Sequence, residues 1–141
     1  MKFRFRTVKS EKDLRAVYPV LKELRKGLSL KNFLQLYAQA RSKNDYQMQM
    51  AFDNERILGL MGYRILFDFL HGKHLYIDDL VTTERERSKG LGAAFLQLAI
   101  QIVRENGCGN LRLSTGIENE LGKKFYVKNG WKQRAAVYKY E

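Results

Sequence analysis

The chain has 141 residues and a mass of 16.5 kDa, room for one domain with an ordinary core and too little for two. Its composition is 45% hydrophobic with a single proline, which excludes a largely disordered chain. Lys and Arg number 26 against 15 Asp and Glu, and the resulting charge of +11 suits an anionic ligand or partner. One cysteine, Cys108, excludes an internal disulfide framework and a cysteine-rich metal site. The two histidines, His71 and His74, are too few for most zinc arrangements, so no metal is expected. No apolar run approaches the roughly 18 residues of a membrane span. Apolar and basic residues alternate from Met1 to Arg6, unlike a signal-peptide core. The expectation is a cytoplasmic globular protein, monomer or homodimer, with no membrane partner. Residues 1–45 hold 12 Lys and Arg but 4 Asp and Glu. That excess suits either nucleic-acid contact or the wet faces of amphipathic helices. With no aromatic-and-basic RNA-binding pattern and no zinc finger, nucleic acid is not the expected partner.

Phe3, Phe5 and Thr7 alternate with basic residues, a strand with one dry face. Ser10 is a helix cap, and Leu14, Val17, Leu21, Leu24 and Leu28 repeat at helical spacing behind it. Pro19 falls inside this run and should kink or restart the helix. Ser29 caps a second helix with Leu30, Phe33, Leu34 and Tyr37 on its apolar side. From Tyr46 the period becomes two. Tyr46, Met48, Met50 and Phe52 share a face, Asp53-Asn54-Glu55 turns the chain, and Arg56 to Leu66 returns as the other arm of a hairpin. His74 to Val81 is a fourth strand, interrupted by Asp78-Asp79. A long helix runs from Gly90 to about Asn106, a strand begins at Leu111, and a short helix covers Glu118 to Lys128. Trp131 to Tyr140 reads as a last strand or hairpin. No repeat or linker divides residues 1–141, so one domain is expected, with strands four and five parallel across their helical crossover.

Chemistry concentrates in Arg87-Ser88-Lys89-Gly90-Leu91-Gly92-Ala93. A basic, glycine-containing turn there leads into a helix, whose free amides and partial positive charge suit phosphate. A triphosphate loop would need Lys and Ser or Thr after Gly92, and neither is present. A dinucleotide loop would need a small residue at Phe95.

The segment resembles the acetyl-CoA loop of the GNAT superfamily of N-acetyltransferases, [QR]-x-x-G-x-[GA], with Arg87, Gly90 and Gly92 in register. Leu75 to Val81 looks like that family's fourth strand. Asn119 followed by Phe125-Tyr126 and Gly130-Trp131 is similar to its late N-x-x-A-x-x-F-Y-x-x-x-G-[FW] signature, with Gly122 at the alanine. The resemblance implies an α+β fold, a three-layer αβα sandwich on a twisted, mostly antiparallel mixed sheet of about six to seven strands. Strands four and five would splay apart, and the pantetheine arm of acetyl-CoA would lie between them. Amides from Ser88 to Ala93 (Ser88, Lys89, Gly90, Leu91, Gly92, Ala93) would bind the diphosphate with help from Arg87. The backbone of Leu80 and Val81 would hold the arm and polarise the thioester carbonyl. Tyr126 would protonate the departing thiolate and Asn119 would contact the arm, or else cap its helix.

The implied reaction is direct acetyl transfer to a primary amine on a small molecule or peptide, in a ternary complex. The alternative is a CoA-responsive or nucleic-acid-binding module of the same fold without turnover. Asp78 and Asp79, adjacent on a strand, should point to opposite faces, and Asp79 is the candidate base or anchor for a cationic acceptor. His71 and His74 are weaker base candidates, read as loop surface. Glu84 and Glu86 should form solvated ion pairs with Arg85 or Lys89, and Cys108 should be a small buried filler.

Overall fold

A computed structural model describes residues 3–141. Met1 and Lys2, the start of the alternating N-terminal segment, lie outside the described residues. The order is β1 (Arg4–Thr7), α1 (Glu11–Leu24), α2 (Leu30–Asn44), β2 (Gln47–Asp53), β3 (Arg56–Asp68) and β4 (Gly72–Thr82). A 3-10 turn (Glu84–Glu86), α3 (Leu91–Glu105), β5 (Asn110–Leu113) and α4 (Glu120–Lys128) follow.

Both early helices begin where a hydroxyl satisfies a free amide: Ser10 accepts from Asp13 NH and Ser29 from Asn32 NH, each at 3.1 Å. Arg6 and the Lys9 amide also bond the Asp13 carboxylate, tying β1 to the first turn of α1. The helix does not restart at Pro19. Pro19 lies on the exposed side, as does Arg15, whose carbonyl loses its amide partner there, so water can hydrate that carbonyl and α1 runs through.

Among the described residues the sheet has five strands in the order β1-β2-β3-β4-β5, antiparallel except for the parallel pair β4–β5. One core, with Val17, Leu21, Phe33, Met48, Met50, Leu60 and Val81, lies under α1 and α2. A second, with Met61, Tyr63, Leu75, Ile77, Leu91, Phe95 and Leu96, lies under α3 on the opposite face. The three layers are as expected, and the strand count is lower. Trp131 to Tyr140 carries no ladder and exposes Val137, Tyr138 and Tyr140. A strand needs a neighbour's hydrogen bonds and a buried face, and beyond Trp131 this segment has neither. Among the described residues no helix is long and apolar enough to cross a membrane.

Candidate functional site

Strands β4 and β5 pair only from His74↔Asn110 to Ile77↔Leu113, while β4 continues to Thr82 against β3 alone. Because β5 ends at Leu113, this edge of β4 is open beyond Ile77, at the place of the expected splay, and the Tyr76 hydroxyl bonded to Ser114 Oγ closes the base of the gap. Above it, Leu80 pairs with Met61 and Val81 with Leu60. Successive amides on a strand alternate in direction, so one of the Leu80 and Val81 amides faces the gap. Their side chains serve the two cores, Leu80 on the α3 side and Val81 on the α1–α2 side.

Past the end of β4 at Thr82 the chain turns into α3. Thr83 NH donates to the Leu58 carbonyl, anchoring the turn on β3. Ser88 and Gly90 adopt left-handed φ values of 67° and 89°. The first intrahelical bond runs from Ala94 NH to the Gly90 carbonyl, so the amides of Leu91, Gly92 and Ala93 precede the ladder. With the helix dipole behind them, amides so placed suit an anion. Arg87 reaches Glu23 at 3.6 Å and Lys89 reaches Glu86 at 3.8 Å, both cations more than half exposed. Gly92 is small for a reason beyond ligand access: a Cβ there would stand 2.9 Å from Phe125 Cζ. Its lack of a side chain lets α4 pack beside the α3 N-terminus.

The two aspartates do not take opposite faces. Tyr63 pairs with Ile77 and Gly62 with Asp79, so Asp78 is an extra residue, a β-bulge that resets the alternation. Ile77 belongs to the α3 core, whereas Val81, two residues beyond Asp79, belongs to the α1–α2 core. Both carboxylates therefore meet partners on the α1–α2 face. Asp78 takes a bidentate pair from Arg64, at 2.8 Å for each bond, and Arg64 stacks on the Tyr76 ring. Asp79 accepts from the Tyr46 hydroxyl at 2.8 Å and from Arg25 at 2.9 Å, while Arg25 also bonds the Asp78 carbonyl. Burial first, and then the Asp79 charge, push the Tyr46 phenol well above its ordinary pKa, so Tyr46 is the donor. The Tyr46 hydroxyl reaches Asp79 only because position 62 is glycine, since a Cβ on Gly62 would overlap that oxygen. Sequence reasoning read Tyr46 as core and passed over Arg25. The signal available was Gly62, a glycine in mid-strand where close approach is one of few uses.

On the far side of the splay, Asn119 is the cap of α4: its Oδ1 accepts from Gly122 NH and its Nδ2 donates to Thr115 Oγ1, both at 3.0 Å. Gly122 gives this amide its room, because a Cβ there would push the Asn119 side chain aside. Tyr126 packs between Phe125 and Trp131, at centroid distances of 5.2 and 5.8 Å. Burial raises its phenol pKa, which keeps it protonated at neutral pH. The contact of Phe125 with Gly92 sets this pair beside the α3 turn.

Three expectations need correction. Glu86 is 3% exposed rather than solvated, with Arg56 and Lys89 each 3.8 Å away. His74 is fully buried at the start of β4, not loop surface. Cys108 is half-buried against the α3 core, short of complete burial.

Residues 14–131 match the model of the acetyltransferase (GNAT) family. The chain is 33% identical over 118 residues to the uncharacterized N-acetyltransferase YhdJ of Bacillus subtilis, covering 84% of this chain and 83% of that protein. It is 26% identical over 123 residues to the aminoalkylphosphonate N-acetyltransferase of Salmonella typhimurium, covering 86% and 80%. In fold it is similar to AAC(6')-Iy in complex with a bisubstrate analogue built on CoA, with a TM-score of 0.84 at 15% identity over 100% of this chain and 98% of the other. The chain belongs to the acetyltransferase (GNAT) family and is an acyltransferase.

Proposed function

We propose that residues 1–141 act as one catalytic domain that moves the acetyl group of acetyl-CoA to a primary amine by direct attack in a ternary complex. The observation that carries this reading is the run of free amides at the α3 N-terminus, set at the mouth of the gap that β4 opens beyond Ile77. The turn from Ser88 to Ala93 binds the coenzyme diphosphate through its amides, and Arg87 and Lys89 add charge. The pantetheine arm runs down the splay against Leu80 and Val81, and the inward-facing amide of that pair supports the oxyanion. The amine nitrogen attacks the thioester carbonyl carbon, the C–S bond breaks, and the Tyr126 phenol gives its proton to the thiolate.

The acceptor enters on the α1–α2 face, where Asp79 waits. Each Asp79 oxygen already accepts a hydrogen bond, so it is suited first to anchoring a cation. The exposed Arg25 guanidinium occupies the place an acceptor ammonium would take. The ammonium proton leaves before attack, to Asp79 or through it to water, and the second proton, lost from nitrogen as the amide forms, restores the Tyr126 phenol through solvent. An amine acceptor accords with the two relatives named as N-acetyltransferases.

Thiol release from acetyl-CoA with a panel of small and peptide amines tests this reading. Turnover with at least one amine is expected, and Arg87→Ala should weaken CoA binding measured by calorimetry. A protein that binds CoA but releases no thiol with any amine would overturn the enzymatic assignment.

A further inference from the structure

We infer that the β3–β4 hairpin carries a divalent transition-metal site of the zinc type, built from Asp68, His71 and His74. The three residues are spaced three apart around the turn into β4, and Gly72, at φ 63°, lets the chain bend between the histidines. Asp68 Oδ2 stands 3.0 Å from His71 Nδ1 and 3.8 Å from His74 Nε2. One donor atom from each residue lies within 4.8 Å of the other two. A tetrahedral ion with bonds of about 2.0–2.2 Å needs ligand atoms roughly 3.4 Å apart, so modest side-chain adjustment closes the site.

The histidine tautomers support this assignment. His74 Nδ1 is 2.9 Å from the Gly72 carbonyl, which can only accept, so Nδ1 carries the proton and Nε2 presents its lone pair. That is the outer-shell bond that orients a metal-binding imidazole. On the other ring, His71 Nδ1 faces the Asp68 carboxylate, and ligation moves its proton to Nε2 with no change in net charge. His74 is buried, whereas Asp68 is 43% exposed, which gives the site one dry wall and an open side for a water ligand. The His74 lone pair already attracts a cation: Arg112 NH1 lies 3.2 Å from Nε2 and 4.0 Å from Asp68 Oδ2. Arg112 also rests on the Tyr76 ring, its alternative perch when an ion displaces it. Imidazole and carboxylate donors suit Zn2+ and Co2+. Asn110 bonds the His71 carbonyl and Gly109 the Lys73 carbonyl, so a bound ion would clamp the hairpin onto β5 below the splay.

Untagged protein titrated with Co2+ should show the visible absorption of a low-coordinate cobalt site, and calorimetry should show Zn2+ binding at one ion per chain. His71→Ala and Asp68→Asn, both at exposed or half-exposed positions, should each weaken binding by at least about 10-fold. Arg112→Met should tighten binding by removing the competing guanidinium. Circular dichroism of each variant keeps loss of a ligand distinct from loss of fold. Absence of a saturable 1:1 event in wild type, or equal affinity in His71→Ala and Asp68→Asn, would overturn the site.

Discussion

Tyr126 and Tyr46 are both phenols whose pKa burial raises, yet only Tyr46 has a carboxylate against it. Tyr126 can therefore give up a proton to a thiolate, while Tyr46 spends its proton holding Asp79 in place. Replacing Tyr126 by Phe should lower kcat by about 100-fold, with the KM for acetyl-CoA little changed. The alkaline fall in wild-type kcat, expected above pH 10 because the phenol pKa is raised, should vanish in that variant. Tyr46→Phe removes one hydrogen bond to a charged group, and steady-state kinetics should show the KM for the amine rising about 10-fold. Asp13 answers to pH in another way. Burial alone would raise its pKa, but the Lys9 amide and Arg6 outweigh it and hold the carboxyl below its ordinary value. Its contribution is thus present above the unfolded pKa and lost as pH falls through the folded one. Denaturant titrations at pH 7 and near pH 3 should show Asp13→Asn more destabilising at the higher pH than at the lower. Arg87, Gly90 and Tyr126 could be named as candidates because their motifs are short runs. Arg25 and Tyr46 could not, since they reach Asp79 from 54 and 33 positions away.

At the scale of elements, what was legible followed local rules and what was missed broke them. Ser10 and Ser29 cap helices as a hydroxyl before an amphipathic run should. The bulge at Asp78 has no such local sign, and one extra residue was enough to turn Asp79 to the face opposite to that of Ile77. Pro19 is punctuation overruled by position on the wet side of α1. The segment after Trp131 was expected to be a last strand or hairpin, but pairing depends on a neighbour, and β5 offers only Asn110–Leu113. Ser88 sits at φ 67°, where a Cβ is strained and glycine is not. Ser88→Gly should raise stability by up to about 1 kcal/mol, the released strain being partly offset by the greater freedom of the unfolded chain. A thermal melt reads this, and CoA affinity should stay intact because the amides are unchanged. Gly62→Ala should do the reverse, destabilising by about 1–3 kcal/mol as Tyr46 is forced from Asp79.

For the molecule as a whole, the change of period from helix to strand and back gave the order of layers, while the +11 charge left the ligand open. The cations nearest the site do not hold that excess: Arg87 and Lys89, beside the free amides of α3, face Glu23 and Glu86, while Arg25 and Arg64 are paired with Asp79 and Asp78. On the proposed function, a coenzyme bearing several phosphate charges should be drawn by the net +11 of the whole chain before any amide touches it. The field and the contacts respond differently to salt. Screening lengths fall from about 10 Å at 0.1 M to about 3 Å at 1 M, which removes long-range attraction while sparing hydrogen bonds in contact. Stopped-flow binding of CoA from about 0.05 to 0.5 M salt should accordingly show the association rate falling several-fold and the dissociation rate nearly constant. If screening instead acted on dissociation, the side chains of Arg87 and Lys89 would be the principal grip, and the backbone turn secondary. If neither rate moved, the excess charge would serve another partner, and nucleic acid, with its steep salt dependence, would be the first to assay.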